Sequence, residues 1–263
     1  MNPANQQSPC QSGGWRQPTG VSAQIWDRIC SEESVREDER AAAAMDHADL
    51  NWVLDNLHAN SRLVDLGCGS GRLLQRHQSR GGWGLGVDLA WPALCAAKNQ
   101  LGTRGQAARL IRANLVDLSC LSGAGLDAAA CLFSTLGMIR GRANRLDFLS
   151  SVRKLLKPGG LLFLHAHARW WHLGTPAGRN WLVRDLGARW TGIGHVGEFR
   201  ASGAPDHVPR LVHFSRWELL ALVQAAGFHA KEILRVEGEN HQKRPSGWFR
   251  PAHGWLIKAE SSR

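Results

Sequence analysis

Three glycines alternate with single residues in "RLVDLGCGSGRLLQRH", residues 62–77. An apolar run stops at Gly67, and Gly67, Gly69 and Gly71 then give the spacing G-x-G-x-G. Without a Cβ, glycine allows a tight turn and close approach of a ligand to the main chain. The helix beginning near Gly71 offers unpaired N–H groups and a positive dipole end, a setting for a small anion such as a carboxylate. Two phosphate-binding loops are excluded by spacing. A dinucleotide fingerprint needs its third glycine at 72, where Arg72 stands, and a Walker loop needs a Gly-Lys-Ser or Gly-Lys-Thr that does not follow. Asp65 lies inside the apolar run, where a carboxylate needs a partner. Cys68 has no neighbour that marks a reactive thiolate and reads as packing. Farther on, His165 and His167 end the run "LLFLHAHA". Histidine titrates near neutral pH, so either is a candidate general base, beside the reading of a structural histidine. His165, His167 and His172 lack an acidic or cysteine companion at a recognised spacing, so no metal site is expected.

These groups need elements to hold them. "RLVDLG", "WGLGVDLA", "ARLIRANL", "LDAAACLF" and "LLFLHAHA" read as strands, the fourth weakened by its alanines. Between them, "GRLLQRHQ", "PALCAAKNQLG" and "RANRLDFLSSVRKLLKPGG" read as helices, with Pro92 in a permitted first turn and Lys157-Pro158-Gly159-Gly160 as a stop. Strands alternating with helices predict an α/β fold: a doubly wound, mostly parallel sheet covered on both faces, with the loops after each strand along one rim. Residues 21–60 form an N-terminal helical segment, with Val21, Ile25 and Ile29 at i, i+4 spacing and a stripe of Leu50, Val53, Leu54 and Leu57. Residues 1–20 read as a flexible tail, and 61–263 as the main domain. Late in the chain, "SRWELLALVQAAGF" carries a capping box at Ser215 and Glu218. Residues 169–214 interrupt the alternation and read as an inserted lid on the substrate side. Its Trp170, Trp171, Trp181 and Trp190, with Arg169, Arg179, Arg184 and Arg189, suit a planar or anionic substrate, or simple packing.

At this point "VDLGCGSGRLL" resembles the first motif of the class I S-adenosylmethionine-dependent methyltransferases, V-L-D-[LIV]-G-[CA]-G-[ST]-G. The resemblance extends over about residues 45–168 and 212–259, with "VRKLLKPGGLLFL" similar to the family's later helix, turn and fifth strand. It implies a Rossmann-like, seven-stranded sheet and S-adenosyl-L-methionine as cofactor. By this resemblance Gly67, Cys68, Gly69 and Gly71 meet the cofactor's amino-acid end, with Asp65 near its amino group. Asp88 then accepts both ribose hydroxyls, with Leu89 beside it, and Asn114 and Leu115 contact adenine. Many relatives carry Asp where Asn114 stands, though an amide oxygen also accepts from an amino group. Phe133 falls in the loop beneath the cofactor.

The acceptor is less legible. Phe133-Ser134-Thr135-Leu136 stands where amino methylation of adenine, cytosine or glutamine would place N-P-P-[FY] or D-P-P-Y. Cys131 has no adjacent proline, unlike a cytosine-5 nucleophile. A small-molecule methyl acceptor is expected, modified at N, O or C. The alternatives are RNA, favoured by charge, and a non-catalytic binder of the cofactor. Arg72 disfavours an NAD-dependent oxidoreductase. The chain of 263 residues has net charge +10, unevenly placed: residues 1–60 hold four Arg against nine Asp or Glu, leaving a basic body that attracts anions. No apolar stretch reaches the roughly 20 residues of a membrane span, so no membrane partner is expected. The six cysteines are scattered with no C-x-x-C pair, and the first twenty residues lack an apolar centre, so a reducing cytoplasm is the expected location. Nothing in the pattern sets an oligomeric state.

Overall fold

A computed structural model of the chain describes residues 17–33, 36–37, 40, 48–102, 108–121, 125–191, 197–199, 210–237, 242–244 and 252–262. The strands β1 (Arg62–Leu66), β2 (Trp83–Asp88), β3 (Ala108–Arg112), β4 (Leu126–Cys131) and β5 (Leu156–His167) run parallel in the order β3-β2-β1-β4-β5. After the two short strands β6 (Glu198–Phe199) and β7 (Leu211–Val212), which pair only with each other, come β8 (Phe228–Glu237), β9 (Gln242–Arg244) and β10 (Gly254–Ser261). β10 lies antiparallel between β5 and β8. Among the described residues the main sheet therefore has eight strands: the seven expected, plus β9 on the outer edge of β8.

Each helix forms for a readable reason. α1 (Ala23–Ile29) is capped by Ser22, whose hydroxyl accepts the Ile25 N–H at 3.2 Å. α2 (Ala48–Asp55) carries the predicted stripe, and Leu50, Val53 and Leu54 are buried with Leu63 and Phe163 on one sheet face. Trp52 meets Phe163 edge-on at 5.2 Å. α3 (Arg72–Ser79) follows β1, and α4 (Trp91–Leu101) follows β2 with proline in its first turn. The one-turn α5 (Thr135–Met138) and the long α6 (Arg142–Leu155) link β4 to β5. α6 ends at Leu155 and β5 begins at Leu156, before the predicted stop at Lys157–Gly160. Pro158 pushes Lys157 towards extended backbone, and Leu156 already pairs with Leu126.

The insertion holds a 3-10 turn at Arg169–Gly174, α7 (Pro176–Thr191) and the β6/β7 pair. α8 (Arg216–Ala225) starts on the capping box expected at Ser215 and Glu218. The opposite sheet face carries the larger core, with Phe148 of α6, Leu219 of α8 and Phe228 of β8 at 0–1% exposure. Each such side chain stabilises the fold by about 1.5–3 kcal/mol through apolar burial. Ala128, Ala129 and Ala130 are fully buried in the central β4. There, pairing on both sides and close helix packing outweigh alanine's low strand propensity.

Candidate functional site

The strand order reverses between β1 and β4, and the loops after β1 and β4 part there. A cavity of about 480 Å³ opens at this rim, within the range of small-molecule and cofactor sites. The β1 loop brings Asp65, Gly67, Cys68 and Gly69, the β2 end Asp88 and Leu89, the β3 end Asn114 and Leu115, and the β4 loop Phe133. Nine of the ten cofactor residues expected from sequence therefore line one space.

Main-chain bonds shape the turn. The N–H groups of Gly67 and Cys68 donate to Val87 O at 2.8 and 3.1 Å, tying the loop to β2. Gly69 has φ +53°, and a Cβ there would meet no protein atom within 4 Å. It stands on the cavity wall, so the space a side chain would take is left for a ligand. Gly71, expected against the cofactor, does not line the cavity. With φ +82° it caps α3, and a Cβ would stand 3.2 Å from Ala97 Cβ of α4. Its bareness serves helix packing behind the loop.

Asp88 accepts the N–H groups of Gly69 and Ala90, one on each oxygen and both at 2.8 Å. Each carboxylate oxygen keeps a further acceptor site, so two hydroxyls of a sugar can still be taken. Burial raises its pKa, which those backbone bonds partly offset. Asp65 is pushed up to about 7, chiefly by burial and then by the Asp88 charge, with Arg72 opposing. A carboxyl poised this way ionises readily beside an incoming cation. Burial, then Asp88 and Asp65, lifts the Cys68 thiol well above its usual value, in keeping with packing. Asn114 joins its own loop to the N-terminal segment: its amide donates to Thr19 O at 2.8 Å, and its oxygen accepts Val116 N–H at 3.2 Å.

The β4 loop is strained at the cavity, with φ +50° at Phe133 and +62° at Ser134. Ser134 Oγ accepts the His167 N–H at 3.0 Å, and Arg72 lies over the Phe133 ring at 4.6 Å. Neither His165 nor His167, the candidate general bases, lines the cavity. Strand alternation turns His165 towards α2, where it is fully buried with Nδ1 3.5 Å from Asp49 Oδ2. His167 stacks on His213 at 5.2 Å and meets His253 edge-on at 5.3 Å. His165 also meets the ring of the cavity-lining Phe133 edge-on at 6.3 Å.

Sequence reading missed the near wall. Gly20, Val21, Ile25, Arg28 and Ile29 close the cavity from the N-terminal side. Their signal was an apolar i, i+4 face with no partner in the alternating pattern. Met138 and Leu211, from α5 and the insertion, carried none.

In the insertion, Arg169 is buried and binds Glu218 at 2.6 Å, Asp185 at 3.3 Å and His213 O at 3.0 Å. His172 Nε2 and His213 Nδ1 share a bond of 2.7 Å. Burial, and then His253, lowers His172 to about 4. Burial, His172, His253 and Arg169 lower His213 to about 3. Trp181 donates Nε1–H to Glu198 O at 2.8 Å, whereas Trp190 is 92% exposed. No described helix is long and apolar enough to cross a membrane.

Residues 63–160 match the family profile described as a methyltransferase domain. A ubiquinone biosynthesis O-methyltransferase of Dechloromonas aromatica is 31% identical over 116 residues, 44% of this chain and 48% of that protein. A protein of the same name from Burkholderia thailandensis is 26% identical over 188 residues, 71% of this chain and 73% of its own. The chain thus spans about half the length of the first of these. Among solved structures, a SAM-dependent methyltransferase of Methanosarcina mazei superposes with TM-score 0.63 at 21% identity, over 80% of this chain and 97% of that one. At that identity the likeness bears on the fold.

Proposed function

We propose that this chain is a class I S-adenosylmethionine-dependent methyltransferase, its residues 63–160 matching a methyltransferase-domain profile, and that it moves a methyl group from S-adenosylmethionine to a small-molecule acceptor. The observation that carries the reading is Gly69. Its backbone is left-handed, its missing Cβ points into open cavity, and its N–H is held by the carboxylate at the end of β2. That arrangement fits an amino acid joined to a nucleoside, and Arg72 stands where a dinucleotide loop needs its third glycine. The residues that would hold the cofactor are the turn at 67–69 with Asp65 for its amino-acid end, Asp88 for the ribose, and Leu89 and Leu115 for the adenine faces. When bound, the cofactor supplies an electrophilic methyl group on a sulfonium.

The chain's own part is positioning and exclusion of water. Asp65 sits in a buried site where a carboxylate is costly alone and favourable beside an ammonium. The N-terminal segment at Gly20–Ile29 and the strained turn at Phe133–Ser134 wall off the rim. Oxygen is the favoured acceptor atom, because the two curated relatives described above are named O-methyltransferases. No histidine is assigned to deprotonate it, since neither candidate lines the cavity.

The test incubates the protein and its Asp88→Ala variant with methyl-labelled S-adenosylmethionine and fractionated cell extract. Label is expected in low-molecular-weight products, with transfer at least tenfold lower in the variant. Label confined to RNA or protein would overturn the acceptor class. Wild-type protein that binds neither S-adenosylmethionine nor S-adenosylhomocysteine would overturn the activity itself.

A further inference from the structure

Beyond the Gly20–Val21 segment lies a second cavity of about 770 Å³, and the two residues line both spaces. Five arginines line it, Arg140, Arg142, Arg145, Arg169 and Arg189, together with Glu198 and Glu218. Both carboxylates are engaged. Glu198 pairs with Arg140 at 3.2 Å. Glu218 takes Arg169 at 2.6 Å and Arg189 at 2.5 Å, and also accepts the Ser215 N–H. Asp185 gives the same two arginines a second partner, at 3.3 and 3.1 Å. Among the described residues, Arg142 and Arg145 form no ion pair.

Arg145 is only 9% exposed. Its Nη1 is fixed on Ile139 O at 2.7 Å and its guanidinium lies 5.5 Å from the Phe214 ring, yet its buried Nε–H has no partner among the described residues. A buried charged donor left unanswered is costly, and native structures rarely leave one without a ligand or water. Arg145 also stands in the first turn of the 14-residue α6, whose cap, Gly141, has no side chain to accept the terminal N–H groups. Gly141 and Arg142 at the start of α6, and Arg145 one turn on, therefore line one space, where the Arg145 charge also faces Glu218 and Glu198.

We propose that this cavity seats a carboxylate or phosphate group of the methyl acceptor, which is thus an anionic small molecule. The oxyanion site stands on Arg142, Arg145 and the α6 terminus; only its link to an acceptor rests on the methyltransferase reading. The wall between the cavities is one segment thick: Ile139 lines the first, Arg140 the second, and Arg140 N–H donates to Gly20 O at 2.7 Å. An acceptor crossing that edge keeps its charge among the arginines and presents its nucleophile to the first cavity.

Titration with inorganic phosphate, and separately with acetate, tests the site by calorimetry or amide chemical shifts. Saturable binding of at least one is expected in wild type, weakened at least tenfold in Arg145→Gln and threefold in the surface variant Arg142→Gln. Both variants should bind S-adenosylhomocysteine as wild type does. Labelled products from extract should be retained on an anion exchanger at pH 7, and the Arg142→Gln variant should raise their apparent KM with kcat unchanged. No saturable binding of either anion, equal binding in all three proteins, or label found only in neutral or cationic products would overturn the proposal. Anion binding in a wild-type protein that does not bind S-adenosylhomocysteine would instead overturn the methyltransferase reading and the link to an acceptor, leaving the oxyanion site in place.

Discussion

The turn at residues 67–71 and the insertion at 169–214 are built on opposite principles. The turn is nearly bare, and its main-chain N–H groups hold it to the neighbouring strand: Gly67, Cys68 and Gly69 hang from Val87 O and the Asp88 carboxylate. The insertion is dense with charge and aromatic rings, and long-range bonds hold it. Arg169 ties it to Glu218, which lies 49 residues away in sequence. A ligand-binding surface made of main chain keeps its shape when neighbouring side chains change. One made of arginines and histidines depends on which carboxylates the rest of the fold delivers.

Four measurements would break or sharpen that contrast. The largest effect is expected for Gly69→Val. A branched side chain at φ +53° is strained and enters the cavity, so S-adenosylhomocysteine affinity should fall at least about a hundredfold. Calorimetry showing less than a tenfold change would mean that main chain does not define the site.

Next comes the pH dependence of that affinity. Asp65 carries a proton below about pH 7 in the free protein and should lose it beside the ligand's ammonium. Affinity should therefore rise with pH and level off near 7, with a slope of up to about tenfold per unit. Asp65→Asn should flatten the curve, and an unchanged slope in that variant would assign the proton elsewhere.

The insertion predicts a smaller effect on stability, of opposite sign to Asp65. His172 and His213 are held neutral, at about 4 and about 3, against an ordinary value of 6.5. The unfolded chain therefore binds more protons than the folded one as pH falls from 6.5 towards 4. Stability should drop over that window, by up to about 1.4 kcal/mol per pH unit for each group. Asp65, raised from 3.8 to about 7, binds its proton more tightly when folded and opposes the loss in the same window. Thermal melts of Asp65→Asn should accordingly show a steeper acid loss than wild type, and a shallower one would reverse the assignment.

The smallest effect is expected for Trp190→Ala. The side chain is 92% exposed, so stability should shift by less than about 0.5 kcal/mol and ligand affinity not at all. A large loss of affinity would show that the insertion moves onto the cofactor cavity.

The same contrast explains what could be read in advance. The G-x-G-x-G turn, Asp88 at the end of a strand and the α8 capping box are local patterns, and each stands where its spacing placed it. Gly71 shows the limit of spacing. It belongs to the same motif, yet Ala97 of another helix takes the place beside it. His165 and His167 show a second limit. They end the strand as expected, but which neighbour each ring meets depends on α2 and on His213, far off in sequence.

The sequence by itself determined the alternation of strand and helix and the bare turn after β1, because each follows from residues within a few positions of one another. Only the tertiary structure decided that residues between Gly20 and Ile29 line the cavity at the β1/β4 rim, that neither histidine lines it, and that, among the described residues, Arg142 and Arg145 form no ion pair. Burial and charge pairing are sums over everything that folds against a residue, and no stretch of chain carries that sum alone.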